Sequence, residues 1–415
     1  MRKESRNVNE KLKKYIDENI EKTTRFNTED TERRIGLPYV YTVPCADGAF
    51  QDLYYWDTYF TNVGLIQKGR IDLAKSNVDN MCYLVNRFGF MPNGSRWEYL
   101  SRSQPPFLSQ MTRDVFEVTG DKEWLAEKYV SLEKEYEFWQ SKKVTPTGLN
   151  GYISYEVHEP AIEGACQYFK KRTGYEPEGE ITREVQEEVF FATLSVCESG
   201  WDCTSRFLED GHHYDAVDLN SLLYGMEGNM QHFSEVLANG QEDIWKKRKE
   251  ARSEKMKSLW SEERELFLDY NFRTGKFSDY ASVASLFPLF VGIATKEQAE
   301  KSLKLFDSME LLYGIACGEP NPAWKCQWDY PNVWAPLQYV TYQALKNYGY
   351  EAEARRVAEK YVSLVESNFA ETGNLWEKYN GLTGKVASDE YEAPPMMGWT
   401  SGVYIFFCTV LGRTI

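Results

Sequence analysis

Histidine is scarce in this chain, with only His158, His212, His213 and His232 among 415 residues. The eight cysteines (Cys45, Cys82, Cys166, Cys197, Cys203, Cys317, Cys326 and Cys408) include no CxxC pair. Zinc-ribbon and thioredoxin-type motifs are therefore excluded. His212 and His213 are sequence neighbours, which places them poorly for sharing one metal. The scattered cysteines read as reduced and mostly buried, the usage of a cytoplasmic protein. No run approaches the roughly 20 apolar residues that span a bilayer. The opening MRKESRNVNEKLKKYIDENIEK is charged throughout and lacks the apolar stretch of a signal peptide. A soluble cytoplasmic protein with no membrane partner is the expectation. Basic charge is also in deficit: 48 Lys and Arg against 63 Asp and Glu, a net charge of −15. Phosphate backbones need a basic surface, so a nucleic-acid partner is excluded. No Pro/Gly-rich linker or low-complexity stretch divides the chain, so one domain over 1–415 is expected.

Aromatic residues are abundant at 15%, with 12 Trp and 28 Tyr. They supply core area and flat apolar faces that suit sugar rings. Helical periodicity dominates. In RIDLAKSNVDNMCYLVNRF (70–88), Ile71, Ala74, Val78, Met81, Cys82 and Val85 fall on one stripe. Segments 121–140, 243–260, 295–306 and 350–369 behave alike. More apolar segments lie between them: TYFTNVGLIQKG, NSLLYGMEGNMQHFSEVL, ASVASLFPLFVG, NVWAPLQYVTYQALKN and GWTSGVYIFFCTVLG. Such alternation predicts helical hairpins, roughly a dozen helices closing as an all-α double ring, the (α/α)6 barrel. The heptapeptide AEKYVSL occurs at 126–132 and again at 358–364, which two amphipathic helices explain without common descent. The charged stretch 1–40 reads as a helical extension packed on the barrel. The polar YFKKRTGYEPEGEITREVQEE (168–188) reads as an insertion or lid, or as a solvated loop.

Chemistry concentrates in the breaks between helices. Trp-Asp recurs as Trp56-Asp57, Trp201-Asp202 and Trp328-Asp329, with Trp376-Glu377 as a near relative. One such pair is ordinarily a structural cap; four in loops of a repeating helical fold suggest a carbohydrate pocket. Indole rings cover the C–H faces of a sugar, and Asp, Asn, Gln and Arg bond its hydroxyls. Hydrolysis of a glycosidic bond then needs two carboxyl groups, one protonated and one ionised. A carboxyl against an apolar neighbour such as Trp201 would be held protonated by desolvation.

The loop segments ADGAFQDLYYWDTY (46–59), PNGSRWEYLSRSQPP (92–106), SGWDCTSRF (199–207), QWDYPNVWAP (327–336), EKYN (377–380) and EYEAPPMMGWTSGV (390–403) resemble, in order, the signature blocks of the trehalases, glycoside hydrolase family 37. The resemblance spans most of the chain. It implies an (α/α)6 barrel, an inverting glycosidase, a small neutral sugar as substrate, and no metal or organic cofactor. It implies Asp202 as general acid and Glu377 as general base. Phe50, Trp56, Asp57, Asn93, Arg102, Gln104, Trp201, Gln327, Trp328, Asp329, Glu390 and Trp399 match substrate-binding positions, the last and Glu390 near the leaving-sugar side. Gly200 would let the backbone turn close to the substrate.

Departures from the family pattern are local. Ala49 stands where the first signature has arginine, Asp47-Gly48 where it has Gly-Gly, and Asp52 where it has Glu. A family Arg-Pro corresponds to Glu159-Pro160. Of three arginines expected around the substrate, Arg102 alone is retained by motif. The leading expectation is hydrolysis of α,α-trehalose to two glucoses. A family 63-like α-glucosidase acting on another α-glucoside or small oligosaccharide, and a sugar-binding homologue without catalysis, are the alternatives; the second has no reason to keep both Asp202 and Glu377. Nothing in the sequence sets an oligomeric state.

Overall fold

The fold follows from how the apolar helices close on one another. A computed structural model describes residues 2–154, 162–388 and 390–413. Fourteen α-helices lie among the described residues: α1 (Arg2–Lys22), α2 (Tyr55–Gln67), α3 (Ile71–Phe88), α4 (Leu108–Thr119), α5 (Lys122–Lys142), α6 (Ala165–Thr173), α7 (Arg183–Glu198), α8 (Val217–Leu237), α9 (Glu242–Met256), α10 (Phe287–Phe290), α11 (Lys296–Met309), α12 (Ala335–Asn347), α13 (Glu351–Thr372) and α14 (Gly398–Val410). Helices α2, α4, α8, α10, α12 and α14 touch in that order, and α14 returns to α2, so six inner helices close a ring. The ring shuts where Gly64 of α2 meets Gly402 of α14. A Cβ on Gly64 would collide with the Cα of Gly402, and one on Gly402 would collide with the Phe60 carbonyl. Only glycines allow these two backbones to approach so closely.

The amphipathic helices α1, α3, α5, α9, α11 and α13 alternate with the inner ones along the chain, and one contiguous core runs from Leu12 to Cys408. This is the (α/α)6 barrel. Local chemistry fixes several helix starts: the Asp121 side chain accepts from Trp124 N at 3.0 Å, and Thr295 with Gln298 forms a capping box. The expected helix over 243–260 ends its α-helical course at Met256 and finishes as a 3-10 turn, Lys257–Leu259. Within the stretch 1–40, α1 places Leu12, Ile16 and Ile20 in the main core and packs against α13. Strands are short antiparallel pieces. Asn332–Trp334 pairs with Lys378–Asn380, joining the loops before α12 and α14.

The stretch 168–188 is more ordered than its polarity suggests. It carries the end of α6 and the start of α7, and the two helices pack together around Ile162, Phe169, Val189 and Phe190. The reading of all cysteines as reduced is corrected at one pair. Cys203 and Cys326 form a disulfide with Cα atoms 5.2 Å apart, across 123 residues of sequence. Sequence spacing reveals local pairs; a contact made only by the fold leaves no such sign. The other six cysteines form no disulfide among the described residues, and all but Cys197 are buried.

Candidate active site

The segments that lead into five of the inner helices, α2, α4, α8, α12 and α14, converge on a cavity of about 110 Å³. One water needs roughly 10–15 Å³, so the space suits a small polar molecule. The start of α2 contributes Phe50, Tyr54, Trp56 and Asp57. The loop before α4 contributes Asn93, Tyr99, Arg102 and Gln104. Gly200 and Asp202 come from the loop after α7, Gln327, Trp328 and Trp334 from the loop before α12, Glu377, Tyr391 and Met396 from the loop before α14, and Trp399 from the first turn of α14. Five chain segments far apart in sequence thus converge on one space.

The apolar wall is a cluster of indoles. Trp328 stacks on Trp334 with centroids 3.8 Å apart and planes 9° from parallel. Trp56 lies 5.4 Å from Trp328 and 6.3 Å from Trp399. The positions are fixed by backbone bonds. Trp56 N donates to the Gln104 side chain at 3.1 Å, Trp399 Nε1 donates to the Glu377 carbonyl at 3.1 Å, and Trp334 Nε1 donates to the Gln327 carbonyl at 2.8 Å. Gly200 sits at φ +76°, and a Cβ there would be 2.7 Å from Trp56 Cε2. The glycine therefore serves a left-handed turn pressed against Trp56.

Three carboxyl groups face the cavity in different surroundings. Asp202 counts as exposed because its carboxyl stands in the cavity, yet protein surrounds that cavity and desolvates the group. Burial raises its pKa, opposed by the charges of Arg172, Arg102 and Lys378 and assisted by Glu390. Burial likewise raises Glu377, which is 2% exposed, against the opposing effect of Lys378 and of the Tyr391 hydroxyl. That hydroxyl donates to Glu377 Oε1 at 2.7 Å, and the Lys378 ammonium lies 3.4 Å from Oε2. Lys378 also donates to the Gln327 side chain at 2.6 Å and sits 3.7 Å over the Tyr391 ring. Asp57 is pushed up to about 8, chiefly by burial and further by Asp202 and Glu377. A neutral carboxyl there can donate a hydrogen bond to a neutral ligand.

Of the residues singled out in the sequence, Phe50, Trp56, Asp57, Asn93, Arg102, Gln104, Asp202, Gln327, Trp328, Glu377 and Trp399 line this cavity. Three do not. Trp201 turns behind the wall, its ring 5.6 Å from Trp328 and 4.7 Å from the Arg206 guanidinium. Asp329 is fully buried and accepts from Thr204 Oγ1 at 3.0 Å, Ser205 N at 2.9 Å and Ser205 Oγ at 2.7 Å. It ties the Asp202 loop to the Gln327 loop. Glu390 lies beside the cavity in an ion pair with Arg172 of α6. Asp52 takes both Arg34, at 3.0 Å, and Arg96, and so anchors the segment before α2. Ala49 is exposed; Glu159 and Pro160 lie outside the described residues.

Sequence reasoning missed Tyr54, Tyr99, Trp334, Met396 and Tyr391 on the wall, and Arg172 and Lys378 beside it. Tyr54, Tyr99, Trp334, Lys378, Tyr391 and Met396 all sit inside the motif blocks, so position within a block is their only available sign. The adjacent His212 and His213 do approach one another, bringing ligand atoms within 4.8 Å of each other and of Glu188. This cluster shares no residue with the cavity lining, and the Arg273 guanidinium already pairs with Glu188 at 3.1 Å.

Comparison with known proteins agrees with the geometry. The family model described as trehalase matches residues 1–412. The periplasmic trehalase of Xanthomonas oryzae pv. oryzae is 34% identical over 395 residues, 89% of this chain and 67% of that protein. The periplasmic trehalase of Escherichia coli O8 is 31% identical over 409 residues, 91% of this chain and 70% of that protein. Among solved structures, neutral trehalase Nth1 from Saccharomyces cerevisiae superposes with a TM-score of 0.77 at 27% identity, covering 95% of this chain and 79% of that one. A GH63 mannosylglycerate hydrolase from Thermus thermophilus shares the fold, with a TM-score of 0.65 at 14% identity over 95% and 99% of the two chains. The barrel, the indole-walled cavity and these matches together make the chain a member of the trehalase family of glycoside hydrolases.

Proposed function

We propose that the protein hydrolyses α,α-trehalose to two glucoses with inversion, Asp202 acting as general acid and Glu377 as general base. The contrast between the two carboxyls carries this reading. Asp202 makes no hydrogen bond to the described residues, so its proton is available to a ligand in the cavity. Glu377 accepts from Tyr391 and neighbours the Lys378 ammonium. Hydrogen bonds and positive charge favour the ionised form, and an ionised carboxylate is what activation of water needs. In the reaction Asp202 gives its proton to the glycosidic oxygen as the bond to the anomeric carbon breaks. Glu377 takes a proton from the water that attacks the opposite face of that carbon. An α-linkage thereby yields β-glucose from the attacked ring, and Asp202 and Glu377 exchange protons with solvent to reset.

The test is glucose release from trehalose, kojibiose, nigerose, maltose, isomaltose and sucrose, followed by NMR of fresh product. Trehalose is expected to be cleaved to equal amounts of β-glucose, from the attacked ring, and α-glucose, from the departing ring whose own anomeric bond is not broken. Asp202→Asn and Glu377→Gln are each expected to lose about 10²–10⁴-fold in kcat while unfolding normally. Exclusive activity on another α-glucoside would replace the substrate assignment by the alternative reading, which Ala49 in place of an arginine supports. Product appearing only as the α-anomer would overturn inversion.

The Cys203–Cys326 pairing bears on the compartment. A cytoplasmic location goes with reduced thiols, whereas this pairing favours an oxidising compartment. Relatives named periplasmic support that location. Thiol alkylation of the protein in intact cells of its host distinguishes the two.

A further inference from the structure

Three groups close the acid side of the cavity without belonging to the ring of inner helices. Arg172 projects from α6, is 14% exposed, and engages Glu390 through Nε. Its Nη1 donates to the Tyr168 hydroxyl at 2.6 Å, and the guanidinium lies 5.4 Å over the Tyr168 ring. Its Nη2 makes no hydrogen bond to the described residues. Glu390 Oε2 is buried and has no hydrogen-bond partner among the described residues. A buried carboxylate oxygen left unpartnered is costly unless a ligand completes it, and the guanidinium edge beside it is not a buried atom, so it is open to a ligand.

Their location sets which part of a ligand they would meet. Arg172 and Asp202 line a second small recess together with Tyr168, Cys203 and Trp324. Glu377 is not among the residues that line this recess. Arg172 therefore lies on the Asp202 side. An acid that protonates the departing oxygen faces the departing sugar, so the groups flanking it on that side contact that sugar.

We infer that Arg172, held by Glu390 and Tyr168, determines specificity for the leaving sugar, binding its hydroxyls with Nη2 while Glu390 Oε2 accepts from another. This rests on the assignment of Asp202 as acid. The pair supplies from α6 a guanidinium that the segment around exposed Ala49 does not supply. Arg172 reaches the site from a stretch whose composition looked like a solvated lid, and its backbone is fixed by packing of α6 on α7.

The test compares two substrates that share the attacked glucose and differ in what leaves: α,α-trehalose and α-glucosyl fluoride. Losing a hydrogen bond to a charged group is expected to lower kcat/KM for trehalose roughly 10- to 150-fold in Arg172→Ala. The same variant is expected to stay within about 3-fold of wild type on the fluoride, because fluoride makes no contact with a second-sugar site. Arg172→Lys keeps the charge but not the planar fork, and is expected to recover only part of the trehalose activity. Glu390→Gln, a milder change at the partner, should show the same selective loss. Equal losses on both substrates, or no loss on either, would overturn the inference while leaving the functional reading in place. A wild-type protein that hydrolyses neither substrate would overturn both. Denaturant unfolding of each variant, expected to match wild type within about 1 kcal/mol, separates a lost contact from a lost fold.

Discussion

Tyr391→Phe tests the proposed role of Glu377 as base. The change removes one oxygen and with it the 2.7 Å hydrogen bond to Glu377 Oε1. The partner carboxylate is 2% exposed, so little water reaches it to substitute. A hydrogen bond to a charged group contributes about 1.5–3 kcal/mol, and one pKa unit corresponds to about 1.36 kcal/mol. Full loss would therefore raise the Glu377 pKa by about 1–2. Tyr391 is itself 36% exposed, and solvent screening argues for the lower end, about 1. The sign follows from the bond: it favours the ionised form, so its removal makes the carboxylate harder to ionise. The free enzyme then needs a higher pH before Glu377 can act. In kcat/KM against pH, which reports free-enzyme groups, the acid limb should move up by about one pH unit and the alkaline limb should stay. A shift of the alkaline limb instead would mean that Glu377 is the acid. An unmoved profile would mean that the hydroxyl contributes nothing to the ionisation of Glu377 and that Lys378 alone sustains it.

Gly200→Ala introduces a Cβ 2.7 Å from Trp56 Cε2 at a φ of +76°; it should cost about 1–2 kcal/mol from the left-handed backbone alone and lower kcat/KM by displacing Trp56, measured by urea unfolding and sugar hydrolysis. Asp329→Ala leaves Ser205 N, Ser205 Oγ and Thr204 Oγ1 without their acceptor. At about 1–3 kcal/mol for each group left unpaired, it should destabilise by several kcal/mol and impair catalysis without touching the cavity, whereas Asp329→Asn should do less of both; unchanged stability in the alanine variant would remove the tie. Reduction of Cys203–Cys326, which closes a loop of 123 residues, should lower unfolding free energy by roughly 2–5 kcal/mol; identical unfolding curves with and without reductant would show the bond contributes nothing.

The helices were legible because their outer faces meet water. Ile71 through Val85 in α3 and the run from Asp121 in α5 carry the 3.6-residue stripe that burial on one side imposes. The inner helices α2 and α14 were legible only as apolar segments, since both are buried on nearly all sides. Most of the cavity was legible through the motif blocks. What failed was direction. Trp56-Asp57 and Trp201-Asp202 are the same dipeptide, yet Trp56 lines the cavity and Trp201 lies behind it; in Trp328-Asp329 the ring faces inward and the carboxyl outward. The turn that decides this depends on partners such as Ser205 and Thr204, which are more than 120 residues from Asp329. Arg172 was illegible for a related reason. It ends the run Lys170-Lys171-Arg172, and only the packing of α6 on α7 selects which of the three cations turns inward.

The segment Gln327–Asp329 has a role that neither carboxyl motif discloses alone. On one side, Asp329 fixes Thr204 and Ser205, Trp328 N donates to the Cys203 carbonyl at 3.1 Å, and Cys326 is bonded to Cys203. These ties all act within three residues of Asp202. On the other side, the Gln327 side chain accepts from Lys378, the residue next to Glu377, and Trp334 at the end of this loop pairs by backbone with Lys378. Both carboxyl groups are therefore placed against the same three residues instead of through the width of the barrel. Inversion depends on a separation that leaves room for one water between the base and the sugar. A separation set through one short, fully buried segment is stiffer than one set through six helix–helix contacts in series. Substitutions at Gln327 or Asp329 should consequently disturb the proposed acid and base together, whereas those in the helical ring should be absorbed before they reach either.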